Sequence, residues 1–95
     1  MKVYIAGPMT GFPDFNRDAF RKQHLSLMKQ GHVVLCPAVL PDGLTQFQYM
    51  DICLAMLRSA DAIFMLRGWD KSEGAIAEHA MAKKLGLDII MEHSA

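Results

Sequence analysis

Two acidic residues far apart in the chain, Asp51 and Glu78, have the types and settings that glycosidic chemistry uses. A pair of carboxylates at one sugar can divide the work. One attacks the anomeric carbon or stabilises its developing positive charge; the other stays protonated and assists the leaving group. Glu78 lies in the segment SEGAIAEHA (72–80), where a helix opens on the small residues Gly74, Ala75 and Ala77. A glycine there costs about 1 kcal/mol of helix stability relative to alanine. The thin first turn lets another molecule approach closely, and Glu78, four residues after Gly74, shares its face. Glu78 is thus a candidate nucleophile beside a small-molecule pocket; the alternative is a solvated helix acid. Asp51 carries two readings as well, a second catalytic carboxylate or an acid in a local pair with Lys or Arg. Arg58, seven residues on, lies on the same helical side but beyond direct i,i+4 contact. A partly apolar loop environment with Phe12, Phe15 and Trp69 is available to raise one carboxyl pKa by desolvation.

Weaker signals accompany these acids. Gly7-Pro8-Met9-Thr10-Gly11 lacks the GK[ST] ending of a P-loop and the GxGxxG spacing. It can bring backbone N–H groups to a phosphate or sugar, or be a tight turn and nothing more. Ser72, at or near a helix N-terminus, can bond an anion with help from the helix dipole, or act only as a cap. Tyr4 stands on the first strand, where a half-buried core tyrosine is the plain reading. His24, His32, His79 and His93 show no metal-ligand spacing, so no metal is expected. No GxSxG or Cys-His nucleophile pattern occurs.

The elements that must position these residues follow from hydrophobic runs and turn signals. Val3–Ala6 reads as a strand ended by Gly7-Pro8, and its lack of alternation suggests burial on both faces. A helix starting near Asp14 or Asn16 places Phe20, His24 and Leu27 on one face and stops at Gly31. Val33–Leu35 is the second strand, and residues 36–44, with two prolines and a glycine, form a loop. Thr45 and Gln48 have capping-box spacing and open a helix whose buried face carries Met50, Cys53, Leu54 and Leu57. Ala62–Leu66 is the third strand. Asp70 and Glu73 offer another capping box, with Ser72 a competing N-cap, for a helix ending at Gly86. Leu87–Met91 is the fourth strand.

Alternation β-α-β-α-β-α-β with short connections demands a parallel sheet with helices on its faces. The expected architecture is an α/β, flavodoxin- or Rossmann-like three-layer sandwich, its four strands in the order 2-1-3-4, in a single domain over residues 1–95. Ligands of such sheets bind beyond the carboxyl ends of the strands, at the switch point between strands one and three. The helices after strands two and three begin at that edge, so topology alone is expected to bring Asp51 and Glu78 to one crevice.

Composition narrows the partners. Apolar residues make up 52% of the 95, which excludes disorder, and ten basic residues balance ten acidic ones. With no basic block, neither nucleic acid nor a membrane surface is an expected partner. No apolar run is long enough to span a bilayer, and MKVYIAGPM has too short an apolar segment for a signal peptide. Cys36 and Cys53, without CxxC spacing and in apolar surroundings, read as reduced core thiols of a cytoplasmic protein, a disulfide or metal pair being the lesser alternative. A domain this small gains burial by associating with a second copy, so a homodimer or higher homo-oligomer is expected; eight methionines fit a plastic core or an interface.

Taken together, several short motifs resemble the nucleoside 2-deoxyribosyltransferase superfamily, including its 2′-deoxynucleoside 5′-phosphate N-hydrolases. They are Val3-Tyr4-Ile5-Ala6-Gly7-Pro8-Met9, Cys36-Pro37-Ala38, Asp51 ten residues before Asp61, and Ser72–Ala80. The chain is most similar to a compact phage and bacterial group of that superfamily. The resemblance implies that Glu78 forms a glycosyl-enzyme at the anomeric carbon, that Asp51 protonates the base or holds the sugar, and that Tyr4 orients the Glu78 carboxylate. It implies that Gly7, Pro8 and Met9 line the pocket, beside the thin turn at Gly74. Transferases acting on free nucleosides have Asp six residues before the Glu, whereas the nucleotide N-hydrolases have Ser contacting the 5′-phosphate; Ser72 stands here. It also implies a residue after strand four donated to the neighbouring subunit's site, for which Ser94 is the candidate. The expected activity is cleavage, by hydrolysis or transfer, of the N-glycosidic bond of a nucleotide or nucleoside, with no cofactor. The alternatives are a non-catalytic nucleotide-binding or sensing module, such as a phage accessory protein, and an interaction scaffold using the methionines.

Overall fold

Strands apolar on both faces build the middle layer of the computed structural model, which describes residues 1–92. β1 (Lys2–Ala6) and β3 (Ala62–Met65) are the central pair and are almost wholly buried. β2 (Val33–Leu35) and β4 (Asp88–Met91) flank them. All pairings are parallel and the order is β2-β1-β3-β4, as the alternation of elements demands, with Val3 opposite both Val34 and Ala62. Three helices cover the sheet: α1 (Arg17–Lys29), α2 (Gln46–Arg58) and α3 (Glu73–Leu85).

The strand pleat sorts the core into two halves, because successive side chains point to opposite faces. Val3 and Ile5 pack with Phe20 and Leu27 of α1. Tyr4 and Ala6 face the other way, toward Cys53 and Leu57 of α2 and Ala82 of α3. Tyr4 is therefore committed by register to the layer that carries Glu78. It is 1% exposed, deeper than the half-buried core position expected of a tyrosine on this strand.

Local signals set most boundaries. Thr45 and Gln48 form a reciprocal capping box at α2, each side chain bonding the other's backbone N–H. At α3 the Asp70–Glu73 box does not form; Ser72 is the N-cap, its Oγ accepting from the Ala75 N–H at 3.3 Å. Asp70 is instead taken up in a short 3-10 turn, Trp69–Lys71, entered through left-handed Gly68. α1 begins at Arg17, later than a start at Asp14 or Asn16. Asp14, Phe15 and Asn16 all have positive φ and make a left-handed turn before it. For side chains with a Cβ such backbone is unfavourable, and it is held by Asn16 Nδ2 donating to the Pro8 carbonyl at 2.9 Å. β3 ends at Met65 and β4 begins at Asp88, each one residue inside the apolar run. The loop after β2 contains a 3-10 turn, Pro37–Val39.

Gly7, just past β1, is needed for a close approach. A Cβ there would lie 2.7 Å from the Cβ of Leu66, so any larger residue would push the ends of the two central strands apart. That contact closes the floor of the crevice between them.

Candidate active site

A cavity of about 600 Å³ opens at the carboxyl ends of β1 and β3, the switch point of the sheet. Gly7, Pro8, Met9 and Thr10 after β1 form its floor. Ser72, Gly74, Ala75 and Glu78 of the α3 entrance form one wall, and Gln46, Tyr49, Met50 and Cys53 of α2 form another. Phe12, Phe15, Arg17 and Phe20 close the side toward α1. A volume of this size accommodates a drug-sized ligand.

Glu78 is the buried acid among the described residues, 6% exposed, and it faces the cavity. The thin first turn explains how: Gly74 and Ala75 lie one turn before it and leave the helix face open. Tyr4 Oη donates to Glu78 Oε2 at 2.5 Å, a charge-assisted geometry when the carboxylate is ionised. Two effects on its acidity compete. Burial raises its pKa and is the larger; the Tyr4 hydrogen bond lowers it; the outcome is a carboxyl pushed up to about 7. Burial is also the main cause that holds the Tyr4 hydroxyl well above its ordinary value, followed by the nearby Glu78 charge, so it stays a donor. Cys53 also lines the cavity, but burial pushes its thiol up to about 11, so it is no thiolate at neutral pH. Of the two, the carboxylate is the group that can act as a nucleophile.

The expected convergence of Asp51 on this crevice is not found. Asp51 is exposed, does not line the cavity, and makes no ion pair among the described residues, with Arg58 or any other cation. Helical phase is the reason. Residues 46, 49, 50 and 53 form the stripe that faces the cavity, and position 51 falls on the next stripe, with exposed Phe47 and Arg58. The second carboxylate among the lining residues is Glu73. Trp69 does not line the cavity either; its ring stacks on His79 with centroids 4.4 Å apart. Phe12 and Phe15 do line it, each close to half exposed. Ser94 and His93 lie outside the described residues.

Two cations at the cavity were not singled out from sequence. Lys71 precedes the Ser72 cap. Arg17, the first residue of α1, is tied to Asp14 at 2.9 Å and Asp42 at 2.6 Å. The only available signal was position: both stand at the start of a helix that begins at the carboxyl edge of the sheet. Ser72 keeps a free hand at this end. Its oxygen caps α3, while its own hydroxyl proton has no acceptor among the described residues.

A family model described as a domain of unknown function, DUF4406, matches residues 1–91. No curated protein matches the sequence. A solved structure of a 2-desoxiribosyltransferase from Leishmania mexicana is similar over 95% of this chain, with a TM-score of 0.73 and 26% identity. The chain spans 62% of the length of that protein. The resemblance to the nucleoside 2-deoxyribosyltransferase superfamily is thus carried by the fold as well as by short motifs.

Proposed function

We propose, for a chain that belongs to the DUF4406 family of domains of unknown function, that its cavity cleaves the N-glycosidic bond of a nucleotide or nucleoside with Glu78 as nucleophile. The observation that carries this is the Tyr4–Glu78 pair, a buried carboxylate aimed into a ligand-sized cavity and held by a hydroxyl donor. A carboxylate with a pKa near neutrality is poised to attack, and the similar solved structure is named as a 2-desoxiribosyltransferase.

In this reading the Glu78 oxygen bonds to the sugar's anomeric carbon as the C–N bond to the base breaks. The base leaves with the bonding pair and takes up a proton. Water then attacks the same carbon, releases Glu78 as a carboxylate, and gives its proton back to the acid that supplied the first. The sum is nucleotide plus water to free base plus sugar phosphate; a second base in place of water gives transfer. Asp51 is assigned the proton to the departing base, which requires its exposed side chain to turn past Met50 toward the cavity. Asp51→Asn is then expected to slow base release about a hundredfold. An unchanged rate, measured by chromatography of the free base, would take Asp51 out of the mechanism and leave Glu73 as the cavity's other acid.

The 5′-phosphate is assigned to the α3 entrance. Ser72 offers its hydroxyl, the helix N-terminus favours an anion, and Lys71 adds a positive charge. Ser72→Ala is expected to weaken nucleoside monophosphates roughly tenfold and to leave free nucleosides unaffected; equal losses for both would show a capping role alone. A homodimer that completes the site, a cytoplasmic location and the absence of a cofactor belong to the same proposal. Among the described residues no helix is long and apolar enough to cross a membrane.

The deciding assay is release of free base from 2′-deoxynucleoside 5′-monophosphates by the wild type but not by Glu78→Gln. The position of Asp51 favours a second reading, a nucleotide-binding module without turnover. Binding of nucleotide with no base released by either protein would establish that module instead.

A further inference from the structure

We infer that Arg17 reads the base, selecting an oxo-substituted purine such as hypoxanthine over adenine; the inference rests on the N-glycosidase reading of the cavity. With the phosphate at the α3 entrance and the anomeric carbon at Glu78, the base is left the region walled by Phe12, Phe15 and Phe20. Arg17 is the cation of that region. Its side chain is 12% exposed, and its guanidinium lies 5.3 Å from the Phe15 ring centre.

Charge decides what Arg17 recognises. Two carboxylates, Asp14 and Asp42, contact the one guanidinium, so the cluster carries surplus negative charge. That disfavours a phosphate at this end and leaves Arg17 as a donor to uncharged acceptors. Three of its N–H groups are spent: one on Asp14, one on Asp42 and one on the Leu40 carbonyl at 3.4 Å. A guanidinium has five, and the remaining two have no acceptor among the described residues. A carbonyl oxygen on the base edge accepts such a bond. The exocyclic amino group of adenine at the same position presents a donor to a donor and leaves both without a partner.

The test is the binding of 2′-deoxyinosine and 2′-deoxyadenosine monophosphates, by calorimetry, to Glu78→Gln, which does not consume them. These ligands differ at the base edge alone. The hypoxanthine nucleotide is expected to bind roughly tenfold more tightly or better, and Arg17→Met in the same background is expected to bring the two within about twofold. Because Arg17 also ties two loops together, Asp42→Asn serves as the control: it loosens the tie and keeps the guanidinium, and the preference is expected to persist. Equal binding of the two nucleotides, or a preference unchanged in Arg17→Met, overturns the inference and leaves the glycosidase reading standing. Loss of the preference in Asp42→Asn overturns it too, in favour of loop positioning. Failure of every nucleotide to bind removes this inference together with the function beneath it.

Discussion

Replacing Glu78 by glutamine is expected to abolish base release, by roughly a thousandfold or more, while making the protein more stable at pH 8. The two effects share one cause. An unfolded glutamate ionises near 4.5, whereas in the fold burial moves Glu78 to about 7. Between those values the folded chain holds a proton that the unfolded chain has lost, so stability falls as pH rises through the window. Below it both states are protonated and nothing is lost; above it the full penalty applies, about 3 kcal/mol for a shift of this size. Glutamine is neutral, nearly isosteric, and still accepts the Tyr4 hydrogen bond. Its stabilisation should therefore be largest at pH 8 and above, on the order of 10 °C in melting temperature for so small a domain, and should vanish near pH 4. Thermal melts of both proteins at the two pH values check this. A stability difference independent of pH would mean that Glu78 does not titrate as its burial requires. A carboxylate kept for packing alone has no reason to be retained where an amide is more stable.

Tyr4→Phe is expected to slow catalysis about ten- to a hundredfold at neutral pH and to move the rising limb of kcat/KM toward higher pH. In the wild type that limb is expected near 7, where burial places the Glu78 carboxyl, since the nucleophile must be ionised. The tyrosine hydroxyl is the group that favours the ionised form, and a hydrogen bond to a charge contributes about 1.5–3 kcal/mol. Its removal leaves burial unopposed, so the midpoint should rise by roughly one pH unit or more. The aromatic ring stays in the core, so the fold is retained. A rate loss with an unmoved pH profile would contradict the pairing, whereas a moved profile with full rate recovered at pH 9 would confirm it.

Much of this arrangement was legible in the residues, and the limits have physical causes. The order 2-1-3-4 follows from alternating strands and helices with short connections, and the solved structure of similar fold agrees with it. Glu78 was visible because a helix that opens on Gly74, Ala75 and Ala77 is thin for a reason. Asp51 was misplaced because topology fixes which edge of the sheet a helix starts from, not its rotation about its own axis. One position off the stripe of Met50 and Cys53 carries a side chain out of the cavity. Arg17 escaped notice because its importance lies in contacts with Asp42, in another loop. Ser72 prevailed over Asp70 at the α3 cap because the chain turns tightly through Gly68 and spends Asp70 in that turn.

The stack of Trp69 on His79 has a practical consequence. Trp69 is the sole indole of the chain, and it ends two residues before Lys71 and three before Ser72, at the lip assigned to the phosphate. Its emission is thus an intrinsic optical probe of occupancy, free of any background from a second fluorophore of its kind. Because the ring lies against an imidazole, any ligand that disturbs the stack changes the same light output.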